Sequence, residues 1–121
     1  MSFFGARYPI VQAPMAYVGP PSLAAAASAA GALGTIAAAA LSADETREAI
    51  REVRSATDAP FGVNVFAPPY LRYDVADVVL EERPAVFSFT FGIVDPEPFQ
   101  DAGIAVLGTA TTAEEASALD A

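Results

Sequence analysis

The chain has 121 residues, with 15 acidic and 6 basic side chains that give a formal net charge of −9 at neutral pH. This balance argues against binding to nucleic acid or to an anionic membrane surface. All six basic residues are arginines, and the sequence has no lysine, no histidine and no cysteine. This composition excludes Schiff-base chemistry, imidazole bases, thiolate nucleophiles and most transition-metal sites, and the sequence offers no candidate catalytic or metal-binding residue.

The length indicates one globular domain, because single domains commonly have about 100 to 150 residues. The sequence is 54% hydrophobic, yet no run reaches the roughly 18 strongly apolar residues that a membrane span requires. We also recognise no basic-then-apolar leader. We therefore expect a soluble, cytoplasmic protein whose chemistry depends on carboxylates, hydroxyls, backbone amides or a bound cofactor.

Short apolar segments typical of strands alternate with segments of helical periodicity along the whole chain. Each predicted strand is followed by a predicted helix, which makes five strand–helix units. The strands are predicted at 8–13, 33–37, 60–66, 85–91 and 104–109, and the helices at 21–31, 43–56, 71–83, 96–102 and 113–121.

Capping residues mark the ends of the first two predicted helices. Pro21 suits an early helical position, and Gly31 is placed as a C-terminal stop. Ser42 with Glu45 three residues later has the pattern of a capping box, in which each residue bonds the backbone of the other. These signals predict where the two helices begin or end.

The last three helices also carry boundary signals. Pro84 terminates the third predicted helix, and Asp95 is predicted to cap the fourth, whose first residue would be Pro96. Thr112 and Glu115 repeat the capping-box pattern for the last helix. The acidic pairs of these helices, Glu81 with Glu82, Glu114 with Glu115 and Asp74 with Asp77, are predicted to lie on solvated faces, which argues against a two-carboxylate hydrolase.

The fourth predicted strand has small side chains on one face and bulky side chains on the other. Alternation places Val86, Ser88 and Thr90 together and opposes them to Phe87, Phe89 and Phe91. Regular strand–helix alternation predicts an α/β fold with a parallel sheet, either an open doubly wound sheet or part of a (β/α)8 barrel. The small face favours the barrel, although five units are three short of eight.

Five segments of the chain, in order, resemble the N-terminal part of nitronate monooxygenases, formerly called 2-nitropropane dioxygenases. They are "YPIVQAPMA", "LAAAASAAGALGTI", "PFGVNVF", "VFSFTFG" and "AGIAVLGTATT". The resemblance extends to the superfamily that includes the flavin-dependent enoyl-acyl-carrier-protein reductases. It implies that residues 1–121 are the N-terminal part of one FMN-dependent TIM-barrel domain, which oxidises alkyl nitronates with dioxygen to carbonyl compounds and nitrite.

The resemblance also implies a set of cofactor-binding residues. Ala13, Pro14 and Met15 would form a turn against the flavin ring, where a proline fixes the backbone and a thioether packs on the ring. The matching asparagine in the family, here Asn64, hydrogen-bonds the flavin. The alternatives are a Met15 that fills a core gap and an Asn64 that ties down the loop that follows its strand.

Two threonines complete the predicted cofactor site. Thr90 and Thr109 fall near the C-terminal ends of their strands, where barrel enzymes place their sites. Thr109 lies where some relatives carry a lysine near the flavin. For Ser88 we prefer a structural role, with its hydroxyl bonded to a neighbouring strand, and Gln12 is interpreted as satisfying backbone groups at a strand end.

The chain departs from the family pattern in two places. Tyr17, Val18 and Gly19 replace a Gly-Gly-Val segment, which would alter the substrate mouth. The family's Gln-Gly and Gly-Gly-His segments, the latter with the catalytic histidine, would follow position 121. We therefore expect this chain alone to bind FMN weakly and to have little activity.

The expected partners are a small nitronate substrate and either a second copy of the chain or a complementing C-terminal half. Neither nucleic acid nor a membrane is expected to bind. Two other interpretations remain open, namely a non-catalytic half-barrel module and a relative of the flavin-dependent enoyl reductases.

Overall fold

The computed structural model describes residues 3–120, which form a parallel four-stranded sheet with five helices. The strands pair in the order β1-β2-β3-β4, which is also their order in the chain. The strands are β1 (Gly34–Ala37), β2 (Phe61–Phe66), β3 (Val86–Thr90) and β4 (Ala105–Thr109). The helices are α1 (Pro21–Ala29), α2 (Ala43–Ala56), α3 (Tyr73–Glu82), α4 (Glu97–Asp101) and α5 (Ala113–Asp120). The predicted α/β class is confirmed.

The main core lies between the sheet and the helices. Side chains of one strand parity, such as Ile36, Val63 and Phe87, point toward the helices and belong to one buried cluster. Phe87 stacks on Phe99 of α4 with ring centroids 4.1 Å apart. Buried residues of the amphipathic helices complete this cluster, among them Ile50, Val53, Val75, Val78 and Val79.

The opposite face of the sheet carries smaller side chains in rows across the strands. The register aligns Ala37 with Asn64, Ser88 and Leu107, four residues of the other parity. The predicted alternation of β3 is therefore confirmed for Phe87 and Phe89, which are buried on the helix side. It is wrong for Phe91, which lies beyond the strand at φ +67° and is 55% exposed.

The first predicted strand, residues 8–13, is reduced to one parallel bridge between Val11 and Leu33. The Leu33 amide donates to the Ile10 carbonyl at 2.8 Å, and the Gln12 amide donates to the Leu33 carbonyl at 2.9 Å. The next two bonds of a parallel ladder would run from the Thr35 amide to the Gln12 carbonyl and from an amide at position 14 to the Thr35 carbonyl. The Thr35 amide donates to the Gln12 side chain instead, and Pro14 has no N–H. The prediction of five strands is therefore wrong for this segment, and four strands are present in residues 3–120.

The end signals predicted for α1 and α2 are confirmed. Pro21 is the first residue of α1, and Gly31 follows that helix at φ +102°. The capping box of α2 has both of its bonds, because the Glu45 amide donates to Ser42 Oγ and the Ser42 amide donates to Glu45 Oε1, each at 3.1 Å. The local pattern was sufficient here because a cap is made by residues close in sequence.

The end of α1 and both ends of α3 and α4 differ from the predicted positions by one or two residues, whereas α5 begins at the predicted residue, Ala113. Helix α3 begins at Tyr73 and excludes Leu71, while α4 begins at Glu97 although the Glu97 amide does donate to Asp95 Oδ1 at 3.1 Å. In α5 the Glu115 amide donates to Thr112 Oγ1 at 3.0 Å. The Glu115 carboxylate, however, accepts from the amide of Thr111 and not from that of Thr112, so only one of the two predicted capping-box bonds is made. The last predicted position, 121, lies outside the described residues.

The predicted solvated pair Glu81 and Glu82 instead takes part in an ion-pair cluster between α2 and α3. The Glu82 side chain is only 13% exposed and lies within 4 Å of guanidinium nitrogens of Arg47, Arg51 and Arg54. Arg47 also pairs with Glu81. The hydrogen bonds to Glu81 and Glu82 raise the pKa of Arg47. The sequence could not show this because the partners belong to different helices.

A second, smaller cluster closes the amino-terminal end of the sheet. Ala6, Leu33 and Val86 are buried together, with Phe4 and Leu107 packed against them. The carboxyl ends of the strands therefore form the open edge of the sheet. Among the helices in residues 3–120, none has the length and apolar character to cross a membrane.

Candidate functional site at the carboxyl edge of the sheet

Asn64 lies on the face of β2 that points away from the helices, near the carboxyl end of the strand. Its side chain is nearly buried, and its Nδ2 atom donates a 2.9 Å hydrogen bond to Ser88 Oγ of β3. The preferred structural role of Ser88, a bond to a neighbouring strand, is therefore confirmed. In residues 3–120 no group donates to the Asn64 Oδ1 atom, and no buried side-chain oxygen lacks a partner, so this atom faces accessible space.

The alternative role of Asn64, to tie down the following loop, is wrong. The loop is held by backbone bonds instead, since the Ala67 amide donates to the Thr90 carbonyl at 2.8 Å and the Tyr70 amide to the Ala67 carbonyl at 3.1 Å. The Asn64 side chain is directed across the sheet to Ser88. The Asn64 Oδ1 atom therefore lies near the carboxyl edge without a hydrogen-bond donor among residues 3–120.

Thr90 and Thr109 share the last row of the sheet with Phe66. The register pairs Phe66 with Thr90 and Thr90 with Thr109, so the three residues lie side by side where β2, β3 and β4 end. Thr90 is half-buried and Thr109 is exposed. The structure therefore brings both predicted threonines and Asn64 to one face and one end of the sheet.

Residues 13–15 leave the sheet at the same end, because the preceding segment is parallel to β1. Ala13 and Met15 are exposed and Pro14 is half-buried. The Met15 carbonyl accepts hydrogen bonds from the amides of Val18 at 3.1 Å and Gly19 at 2.8 Å, which closes a tight turn. The alternative role of Met15 as a core filler is therefore wrong, since its side chain is 40% exposed.

Gln12 connects this turn to β1. Its Oε1 atom accepts a 3.1 Å hydrogen bond from the Thr35 amide, and its Nε2 atom donates to the Ala13 carbonyl. The interpretation that Gln12 satisfies backbone groups at a strand end is confirmed.

Two aromatic residues that the sequence did not assign to the site also lie at this edge. The rings of Phe66 and Phe91 meet edge to face with centroids 5.0 Å apart. Phe91, Ile93 and Tyr70, which follow β3 and β2, are all more than half exposed. Because monomeric proteins rarely gather large apolar side chains at one exposed edge, these residues indicate a binding surface. The sequence alone does not assign these aromatic residues to the site, because only the strand register shows that Phe66 lies beside Thr90.

A groove of about 800 Å³ lies between α2, the carboxyl end of β1 and the turn at residues 17–19. Its walls include Tyr17 and Val18 on one side and Glu45, Glu48 and Glu52 of α2 on the other. None of the six predicted cofactor residues lines it. The candidate site is thus an open edge and not an enclosed cavity.

The arginines are not gathered at the carboxyl edge. Arg47, Arg51 and Arg54 pair with Glu82, and Arg72 pairs with Asp74 at 3.3 Å. In residues 3–120 no group of three or more acidic side chains is arranged to hold a metal ion. The edge therefore presents amide, hydroxyl, carbonyl and aromatic groups to a ligand.

Comparisons of the sequence with known proteins agree on one family. A family model described as "Nitronate monooxygenase" matches residues 1–78, more than half of the chain. The nitronate monooxygenase of Paraburkholderia phytofirmans is 35% identical in an alignment that covers all of this chain and 44% of that protein. The nitronate monooxygenase of Pseudomonas aeruginosa is 38% identical over 97% of this chain and 45% of that protein.

Solved structures show the same relationship. A nitroalkane oxidase from Streptomyces ansochromogenes superposes with a TM-score of 0.87 at 36% identity, covering 96% of this chain and 44% of that one. FabK from Thermotoga maritima superposes with a TM-score of 0.85 at 34% identity, covering 95% and 38%. The chain spans less than half the length of these relatives. By its sequence and its fold, the chain belongs to the nitronate monooxygenase family.

Proposed function

We propose that this chain is the N-terminal part of a flavin-dependent oxidoreductase of the nitronate monooxygenase type, built on a TIM-type barrel. The observation that supports this best is the position of Asn64, whose side-chain oxygen has no donor among residues 3–120, on the face of small side chains near the carboxyl edge. Enzymes of this fold place cofactor and substrate at that edge.

The groups at the edge fit the ring of a flavin. The isoalloxazine ring needs a hydrogen-bond acceptor for its N–H group, and Asn64 Oδ1 is an acceptor without a protein donor. The planar ring also needs an apolar contact on its face, which Met15 can provide because its thioether is flexible, polarizable and exposed. Asn64 and Met15 therefore offer the ring one hydrogen-bond acceptor and one apolar contact.

The groups needed for the phosphate of FMN are not gathered here. The chain has no lysine, and four of its six arginines make ion pairs with carboxylates. A phosphate would therefore be held by backbone amides or by residues of another polypeptide segment. We infer that this chain recognises the ring and that other residues of the whole enzyme recognise the phosphate.

In this proposal the residues of this chain would bind and orient the cofactor. When bound, the flavin supplies the electron transfer between the nitronate and dioxygen. Asn64 Oδ1 would accept a hydrogen bond from the ring, and Pro14 would fix the backbone of the turn that carries Met15. Thr90 and Thr109 place hydroxyls at the rim, where they can bond polar edges of the ring or the substrate.

Titration of the purified chain with FMN and with riboflavin tests this assignment. Flavin fluorescence and the visible spectrum report binding, and we expect weak but equal affinity for the two ligands because the chain lacks a phosphate site. Asn64→Leu should weaken both affinities about tenfold, since it removes a hydrogen bond and adds an apolar group to the site. Thr57→Ala, which lies between α2 and β2 and far from this edge, is the matched control.

Equal binding by the wild type and Asn64→Leu would refute the site. Nitrite release from an alkyl nitronate should be near the background rate in the isolated chain. Sustained turnover by the 121 residues with added FMN would show that the expected dependence on other residues is wrong.

A second candidate function is reduction of an enoyl thioester, which the similarity to FabK favours. The two activities require different electron donors, so a complete enzyme that oxidises a nicotinamide cofactor and releases no nitrite would belong to that branch. The non-catalytic half-barrel interpretation predicts instead a stable flavin-free dimer, which the mass in solution would reveal.

A further inference from the structure

Gln12 occupies the point where regular pairing between the first segment and β1 stops. The Val11–Leu33 bridge makes two backbone bonds, at 2.8 and 2.9 Å. In a regular parallel ladder the Thr35 amide would next donate to the Gln12 carbonyl, and an amide at position 14 would then donate to the Thr35 carbonyl. The Thr35 amide instead donates to the Gln12 side chain and Pro14 has no N–H, so the backbone alone does not hold residues 13–15 against β1.

The Gln12 side chain supplies the acceptor that a regular ladder would give to the Thr35 amide, and it also bonds the turn that follows. Its Oε1 atom accepts from the amide of Thr35, a residue that is only 5% exposed, at 3.1 Å. Its Nε2 atom donates to the carbonyl of Ala13. One planar amide therefore connects a buried strand to the first residue of the turn.

The hydrogen bond from Gln12 Nε2 sets the direction in which the Ala13 carbonyl points. Ala13 precedes Pro14, so its backbone is already restricted to extended conformations. A hydrogen bond to its carbonyl selects one orientation of the Ala13–Pro14 peptide, and the turn closed by Met15 and Gly19 starts from that peptide.

We propose that Gln12 is a positioning residue that sets the conformation of residues 13–19 at the carboxyl edge. The proposal needs both halves of the amide. A leucine at this position supplies neither bond, whereas a glutamate supplies the acceptor for Thr35 but no donor for Ala13 at neutral pH. Its consequence for ligand binding rests on the proposed flavin function, but its consequence for the turn does not.

Amide hydrogen exchange measured by NMR tests the turn directly. In Gln12→Leu the Thr35 amide should exchange about fivefold to tenfold faster than in the wild type. The Leu33 amide, which is bonded to the Ile10 carbonyl, should be unchanged. In Gln12→Glu the Thr35 amide should remain protected, while the Gly19 amide should lose protection in both variants. Gln100→Leu, an exposed glutamine of α4, is the matched control.

Flavin titration of the same variants separates this proposal from the proposed function. Gln12→Leu and Gln12→Glu should each weaken riboflavin binding severalfold and shift the visible flavin spectrum. If the wild type binds no flavin, the proposed function fails for this chain and the exchange data alone decide the role of Gln12. If Asn64→Leu weakens binding and neither Gln12 variant does, the role in positioning the site is refuted. Unchanged exchange at Gly19 in both variants would overturn the proposal as a whole.

Discussion

The Asn64 amide nitrogen donates to the Ser88 hydroxyl at 2.9 Å, and this bond joins β2 to β3 on the face that points away from the helices. It orients the Asn64 side chain so that Oδ1 has no hydrogen-bond donor among residues 3–120. The polar pair lies one row before the carboxyl edge, where Thr90 and Thr109 also lie.

Removing the Ser88 hydroxyl should destabilise the chain. Ser88→Ala leaves the nearly buried Asn64 NH2 group without this acceptor, which should lower the free energy of unfolding by about 1 to 3 kcal/mol. Urea denaturation measures the change. Ser55→Ala, an exposed serine at the end of α2, should change the stability by no more than about 0.5 kcal/mol. Equal effects of the two substitutions would contradict the importance of the pair.

Gly34 allows α1 to approach β1 very closely. A Cβ atom at this position would overlap the Ala24 carbonyl and lie 2.7 Å from Ser28 Oγ, which accepts from the Gly34 amide. Because α1 cannot move without losing this bond, Gly34→Ala should lower the free energy of unfolding by about 3 kcal/mol. Thermal unfolding would measure it.

The matched control for this substitution is Gly62→Ala in β2. A Cβ atom at Gly62 would lie 3.4 Å from Val86 Cβ, an ordinary contact distance. We expect a loss of less than about 1 kcal/mol there. A Gly62 variant as unstable as the Gly34 variant would mean that neither backbone position tolerates a side chain, and close helix approach would not be the reason.

Tyr17 has a left-handed backbone conformation that strongly favours glycine. Its φ is +64° and its side chain is 94% exposed, so little packing offsets the strain. Tyr17→Gly should therefore raise the free energy of unfolding by about 0.5 to 1 kcal/mol, after allowance for the greater freedom of glycine in the unfolded chain. Tyr17→Ala keeps the strain, so chemical denaturation should show no gain for it. A similar gain in both would assign the effect to the side chain.

The carboxylate of Glu115 should make the start of α5 sensitive to acid. Hydrogen bonds from the Thr111 amide and hydroxyl lower the pKa of Glu115. A lowered pKa in the folded state stabilises the fold above the ordinary carboxyl value of about 4.3, and this contribution is lost as the pH falls through the folded value. NMR titration of the Thr111 amide should follow that transition.

Glu115→Gln should abolish the acid transition at the Thr111 amide. Glu114→Gln is the control, because Glu114 makes no bond to Thr111 among the described residues. Persistence of the transition in Glu115→Gln would show that another group titrates there.

Local signals in the sequence predicted much of the fold. The capping box of Ser42 and Glu45, the stop at Gly31 and the apolar strands were correct because short-range sterics and hydrogen bonds decide them. The strand at 8–13 failed because the Thr35 amide bonds the Gln12 side chain and not the Gln12 carbonyl, a contact between distant segments that the local pattern does not show. The Phe91 prediction failed because alternation does not show where a strand ends.

The sequence by itself determined the α/β class, the family and the residue types that a site could use. Composition limits chemistry, and hydrophobic period and motif order do not depend on how segments meet. Tertiary structure decided that Asn64 pairs with Ser88, that Gln12 bonds both Thr35 and Ala13, and that Glu82 gathers three arginines. These contacts join residues of different elements, and only strand register and helix packing bring such residues together.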